Sequence, residues 1–270
     1  MCKSSKIYLV VMFNFLAILL TSFTSSFAYA EIDKTVYTSE EKYKKLENFN
    51  WLNNLDNPII DDPDANAYMD LRGFPFVSYL ADKDEALQFD YWFSGTEDNS
   101  TKFILIWYLS EEESIDDRVT VYVDAYKNVG YIDGSDWVNV DPDELLANQW
   151  ENEQKLNKER IQNGVEPLTG VEWYIQPTFN SDKGYIYQTM KFFKKDDFTY
   201  NTFIYLLGRD GYQFINLAFS EEEVKYIDEK FLNKILDSYI FREGKSYADF
   251  QEGDEKSSTT AADLVTPNEP

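Results

Sequence analysis

What this chain can do chemically is set first by what it lacks. It contains no histidine, and its single cysteine is Cys2. A Ser-His-Asp triad, a Cys-His pair and a histidine-ligated zinc or iron site are therefore excluded. Carboxylate pairs of the glycosidase kind remain open, together with Tyr, Lys and Arg roles and oxygen-ligand cation sites. There is no Gly-rich phosphate loop of the Walker or dinucleotide type, so no cofactor is expected. Asp62-Pro63-Asp64-Ala65-Asn66 has the alternating oxygens that open a calcium loop. It then places Ala67 where the turn glycine belongs and Gly73 where the bidentate glutamate belongs, and it reads as a solvated turn with no metal. The candidate ligand-binding residues are Tyr200, Asn201 and Arg209 on one predicted hairpin, with Trp173 earlier in the chain. The competing reading is that Asn201 and Arg209 satisfy backbone groups or pair with surface acids, and that Trp173 is core.

The elements that must position these groups follow from capping chemistry and periodicity. Thr38 and Glu41 have capping-box spacing; Asp82 with Gly95 favours a helix over Asp82–Phe93, with a strand over Gln88–Phe93 as the alternative. Asp141-Pro142-Asp143-Glu144 starts a long helix that Gly164 ends in the left-handed conformation. Strands are predicted over Ala67–Leu71 and Phe74–Leu80 around the turn Arg72-Gly73, then over Lys102–Leu109 and Arg118–Tyr126. A meander follows: Gly170–Phe179, Tyr185–Phe193, Tyr200–Leu207 and Tyr212–Phe219. Ser220 and Glu223 start the last helix, whose apolar stripe is Val224, Ile227, Phe231, Ile235 and Tyr239. The predicted fold class is α+β, a mainly antiparallel sheet with flanking helices. Aromatic residues make up 17% of the chain, and core packing accounts for most of them; a carbohydrate-stacking platform needs only two or three left exposed.

The N-terminus reads as a secretory signal. Lys3 and Lys6 precede an apolar run from Ile7 to Leu20, and Ala28-Tyr29-Ala30 supplies small residues ahead of Glu31. The expected organisation is a signal peptide over 1–30, one α+β domain over 31–250 and a disordered acidic tail over 251–270. Cleavage removes the only cysteine, so the mature protein uses no disulfide. It also removes two lysines and no acid, taking the formal charge from −24 to −26. Such a charge repels phosphate backbones and argues against nucleic acid as a partner. The expected location is periplasmic or secreted, with a membrane tether only if the signal is retained.

From Gly130 onward the chain resembles a known group. Gly130-Tyr131-Ile132 and Asp136-Trp137 come first, then Val140-Asp141-Pro142-Asp143-Glu144-Leu145-Leu146. Asn157, Arg160, Gly164, Pro167 and Leu168 follow, with Trp173 and Pro177 after them. Tyr200-Asn201-Thr202, Leu207-Gly208-Arg209, Gly211, Asn216-Leu217 and Tyr247-Ala248-Asp249-Phe250 complete the set. In order and spacing this resembles the bacterial domain-of-unknown-function family 2167, of predicted membrane-anchored proteins, and more distantly the PsbP-like α/β/α sandwiches. The resemblance implies an apolar C-terminal anchor after the Tyr-Ala-Asp segment, where this chain has a polar tail; that anchor is expected to be absent. It also implies an arginine soon after Tyr-Asn-Thr, where this chain has Phe203.

The functional expectation is a non-enzymatic binding or assembly module of the bacterial envelope, with an envelope protein or glycan as partner. The alternative is a carboxylate-dependent hydrolase of envelope glycans, which needs two acids converging in a cleft.

Overall fold

A computed structural model of the chain describes residues 32–74, 76–96, 100–109 and 118–266. The predicted signal and its cleavage site lie outside these residues. The chain divides into Met1–Ile32 and Asp33–Pro270, and the fold is that of the second unit.

Period-two alternation builds the sheet. Helix α1 (Ser39–Leu46) precedes β1 (Leu52–Asn53), β2 (Ile59–Asp62), β3 (Ala67–Asp70) and β4 (Val77–Leu80). Helix α2 (Lys83–Ser94) leads to β5 (Thr101–Tyr108) and β6 (Arg118–Asp124), and α3 (Pro142–Gln162) to the meander. That meander is β7 (Gly170–Asn180), β8 (Tyr185–Phe193), β9 (Phe198–Leu207) and β10 (Tyr212–Phe219). An eight-stranded sheet results, ordered β1-β4-β5-β6-β10-β9-β8-β7, with every pair antiparallel. Val119, Val121 and Val123 on β6 are buried on one face, with Ile204 of β9 and Ile215 and Leu217 of β10 beside them in one core.

That closed face is covered by helix α5 (Glu229–Ser238) and a three-stranded sheet, β11-β3-β2, in which β11 is Tyr239–Phe241. Phe231 of α5 stacks on Trp107 of β5 at 4.2 Å, and Ile235 is buried in the same core. The opposite face carries α2 over β4 and β5 and α3 over β7. The architecture is the predicted α+β class, an antiparallel sheet with helices on both faces.

Helix ends match their local chemistry. Thr38 and Glu41 form a complete capping box. Asp82 accepts from the Asp84 and Glu85 amides, and Gly95 ends α2 at φ 72°. Asp141 caps α3, with Pro142 in the first turn and Gly164 at φ 70° beyond its end.

Four expectations need correction. The strands around Arg72-Gly73 are not paired with each other: β3 belongs to the small sheet and β4 to the large one, so the turn carries the chain between sheets. The predicted last helix is two helices, α4 (Glu221–Val224) and α5, followed by β11. The reason is a second cap inside the apolar stripe, because Asp228 accepts from the Phe231 amide at 2.8 Å and starts a new helix. The turn at Asp62 is not solvated at its first residue, since Asp62 is 0% exposed.

The fourth correction concerns the tail. Residues 251–266 are ordered against the domain and end in helix α6 (Ala261–Val265). Tyr131 pairs with Lys256, donating its amide to Glu255 O at 2.8 Å and accepting from the Ser257 amide at 2.9 Å. Ala261, Leu264 and Val265 bury against Ile132, Leu145, Ile186 and Leu207. Arg209 holds Asp254 through two bonds, Nε to Oδ2 at 2.8 Å and Nη2 to Oδ1 at 2.7 Å.

These bonds give the tail a pH dependence. The Arg209 side chain, then the Gln251 amide, hold the Asp254 carboxyl below its ordinary range. Asp249 is lowered likewise, by bonds from the Ser246 side chain and amide. A carboxyl with a depressed folded pKa stabilises the native state above its unfolded pKa of about 4 and loses that contribution as pH falls through the folded value. Residues 251–266 should therefore lose amide protection on acidification before the β9–β10 core does. Hydrogen exchange at pH 6 and pH 3, corrected for intrinsic rates, reads this directly; equal protection of the tail at both values would refute it.

Candidate functional site

Helices α2 and α3 stand over opposite ends of the same sheet face and leave its middle half open. On β6 and β10 every residue of the closed face is buried, as are Tyr200, Thr202, Ile204 and Leu206 on β9, while Tyr122, Asp124, Asn201, Phe203, Tyr205, Phe214 and Asn216 on the other face are only half-buried. Two hollows follow these strands. One, of about 290 Å³, lies between α2 and α3 over Tyr122, Asn201, Phe203 and Ala218. The other, of about 410 Å³, lies over Tyr205, Phe214, Tyr212 and Asp124, beside the tail. Their floor residues are successive same-face positions on the same strands, and Asn216 sits between them, so together they form one trough.

The floor is an aromatic ladder. Phe203 stacks on Phe214 at 6.0 Å with ring planes 17° apart, and Phe214 meets Tyr205 at 5.0 Å. Phe192 closes one end edge-on to Phe203 at 6.3 Å. The tyrosines are held as phenols. Desolvation pushes Tyr122 well above its ordinary pKa, with the Asp90 carboxylate adding to the effect. Tyr205 is raised by desolvation, then by Tyr212 and Asp124, and Tyr212 by desolvation and Asp124. Their hydroxyls can both donate and accept across the physiological range.

The walls are pinned by residues of the motif set. Glu153 on α3 is buried and accepts from Arg160 Nη2 at 2.6 Å and Gln149 Nε2 at 2.7 Å. Asn157 clamps the following loop in both directions, donating Nδ2 to Leu168 O at 2.7 Å and accepting from the Leu168 amide at 2.8 Å. Asn163 Nδ2 donates to Gly95 O at 2.8 Å, tying the C-terminal end of α3 to that of α2. Gly95 must be small there: a Cβ would come within 2.5 Å of Val165. The two walls are thus joined at one end, which fixes the width of the trough.

Of the four residues singled out from sequence, only Asn201 lines the trough. Tyr200 is its neighbour on β9 and so points to the other face, where it stacks on Phe219 at 5.5 Å. Arg209 is the latch for Asp254. Trp173 donates Nε1 to Pro142 O at 2.9 Å and packs with the core beneath α6. The hairpin residues do not converge; two of them serve the fold. The residues missed were Tyr122, Phe203, Phe214, Gln188 and Asn216. For Phe203, Phe214 and Asn216 the signal is the second face of β9 and β10, where aromatics and amides alternate with the Ile and Leu of the core.

Chemically, the trough offers aromatic faces, phenols and carboxamides. Of its two buried carboxylates, Glu153 and Asp90, the first is paired with Arg160. Asp90 accepts from the Thr101 hydroxyl at 2.9 Å. Among the described residues there is no cluster of acids able to hold a metal ion, and no helix is long and apolar enough to cross a membrane.

The arrangement defines an antiparallel α+β domain with a walled, aromatic-floored trough. Residues 73–268 match the family described as a protein of unknown function (DUF2167), and the chain belongs to that family. The match includes the ordered tail. No curated protein matches the chain. Among solved structures, the cyanobacterial PsbP (CyanoP) from Synechocystis sp. PCC 6803 is similar, at 10% identity over 71% of this chain and 92% of that one, with a TM-score of 0.35.

Proposed function

We propose that this chain is a non-enzymatic binding module that acts outside the cytoplasm, and that the trough is its ligand site. The observation that carries the reading is the half-open middle of the sheet, floored by stacked aromatics between two helices tied together at their ends. Ligand sites are concave, largely preformed and mostly apolar, with a few placed polar groups. Export is supported by Lys3, Lys6, the apolar run and Ala28-Tyr29-Ala30. Ordered as it is, the tail from Gln251 belongs to the same domain in this reading, as a third wall.

The test is NMR of the full-length protein titrated with soluble cell-wall fragments containing both glycan and peptide. Shifts should concentrate on Phe203, Phe214 and the Asn201 side-chain amide, and Phe203→Ala should weaken the interaction about tenfold, the loss expected for a stacked aromatic anchor. Shifts confined to other surfaces, or turnover of the fragments that stops when a carboxylate is replaced, would reject the proposal. Fractionation of the native host for the chain cut after Ala30 tests the location separately.

A further inference from the structure

Three side-chain amides surround Phe203 on the trough face of the sheet, and one of them, Asn201, lines the hollow itself. Gln188 of β8 and Asn216 of β10 are the cross-strand partners of Phe203, one on each side, and Asn201 precedes it by two residues on the same face. Phe203 is thus framed by three carboxamides. Gln188 is only 3% exposed, yet its Oε1 has no hydrogen-bond partner, and neither does the buried Asn216 Oδ1. Other internal amides are committed. Asn157 clamps Leu168, Asn54 holds Leu71, Phe74 and Val77, and Gln213 donates to two carbonyls. Leaving a buried polar atom unpaired is costly, and a native fold rarely tolerates it without a use.

We infer that this amide-framed ring is a subsite for a neutral saccharide, one pyranose lying on Phe203 with its hydroxyls bonded to Asn216, Gln188 and Asn201. The inference rests on the trough being the ligand site. A carboxamide offers an acceptor and a donor side by side, the pair that a sugar hydroxyl needs, and rotation about its last torsion presents either end. The Phe203 and Phe214 planes, nearly parallel, present a face to sugar C–H bonds. The neutrality follows from the ring's immediate neighbours: the three amides carry no charge, Glu153 in the wall is paired with Arg160, and Asp90 accepts from the Thr101 hydroxyl. An extended peptide would instead be expected to add to a sheet edge through its backbone, whereas this site is the middle of a face.

The experiment uses full-length protein with three probes: the N-acetylglucosamine tetramer, the cellulose tetramer and a neutral hexapeptide. Calorimetry should detect at least one oligosaccharide and not the peptide. The paired substitution Asn216→Leu with Gln188→Leu should weaken that binding at least tenfold, while leaving the thermal midpoint of the unliganded protein unchanged or raised. Amides with a structural role would move the midpoint down and leave the affinity alone, which overturns the inference. Peptide binding sensitive to Phe203→Ala, without saccharide binding, rejects the saccharide but keeps the trough. If none of the three probes produces heat or any shift in trough residues, the saccharide assignment is refuted, and the cell-wall titration decides the trough by itself.

Discussion

Asp62→Ala is expected to lower the unfolding free energy by about 3 kcal/mol, the range found when one partner of a buried ion pair is removed. Asp62 is fully buried where β2 ends and joins the two sheets. Its Oδ1 accepts from Lys102 Nζ of β5 at 2.6 Å. Its Oδ2 accepts from the Tyr239 hydroxyl of β11 at 2.9 Å, with Gln213 Oε1 of β10 at 3.0 Å from the same hydroxyl. Burial by itself would lower the Lys102 pKa, but the bonds to Asp62 and Asp64 outweigh it and the net shift is upward. Lys102 is therefore an ammonium, and without Asp62 its charge keeps only one exposed partner. Asp64 is bonded to the same lysine at 2.8 Å but its side chain is 73% exposed, so Asp64→Ala should cost no more than about 1 kcal/mol. Urea denaturation of the two variants separates them. Equal costs would mean that Asp62 is not the staple between the sheets.

That staple also marks where the sequence stops being informative. Helix ends were readable because capping is settled within four residues: Thr38 with Glu41, Asp82 with Glu85, and Asp141 with Glu144 all sit as their spacing implies. The meander is readable because three of its strands, β7, β9 and β10, alternate through four pairs. The small sheet was not. Its strands have four, four and three residues, and β11 pairs with β3 through Tyr239 and Met69, far apart in the chain. Nothing local in Tyr239-Ile240-Phe241 distinguishes a strand from the last turn of an apolar helix. Asp62 was misread for the same reason, since the lysine and tyrosine that draw it inward come from β5 and β11.

The site was half readable. Asn201 is marked by its type, but Tyr200 beside it cannot share its face, because neighbours on a strand point opposite ways. Had the face containing Ile204 and Ile215 been assigned to the core, period two would have placed Asn201, Phe203, Tyr205, Phe214 and Asn216 together on the other. What no pattern could supply is which helices cover that other face. The gap exists because α2 and α3 stand apart over the sheet, and their separation depends on the contact of Asn163 with Gly95, residues in different elements.

Deleting residues 251–270 should lower the unfolding free energy by about 2–3 kcal/mol, a third or so of a typical domain's stability. Composition suggested disorder because the segment is acidic and nearly free of bulky apolar groups. Three small-to-medium residues suffice, because α6 places all of them on one side. Burial of Ala261, Leu264 and Val265 is worth about 5 kcal/mol gross, and ordering the segment offsets part of it. The deletion also uncovers Ile132 and Leu207, both nearly inaccessible in the intact fold. Gly130 shows how closely the tail is fitted: it adopts φ 89°, and a Cβ there would lie 2.9 Å from the Ser257 amide nitrogen. Urea unfolding should show a lower midpoint and a smaller slope, since less surface is exposed when the tail is already gone. Leu264→Asp should reproduce most of the loss without shortening the chain, because an unpaired carboxylate cannot stay in that cluster. If the tail were disordered, both variants would unfold as the parent does. Its removal should also open the end of the trough that Thr259 and Leu264 line, so a ligand reaching beyond Phe214 would lose affinity while one confined to Phe203 would not.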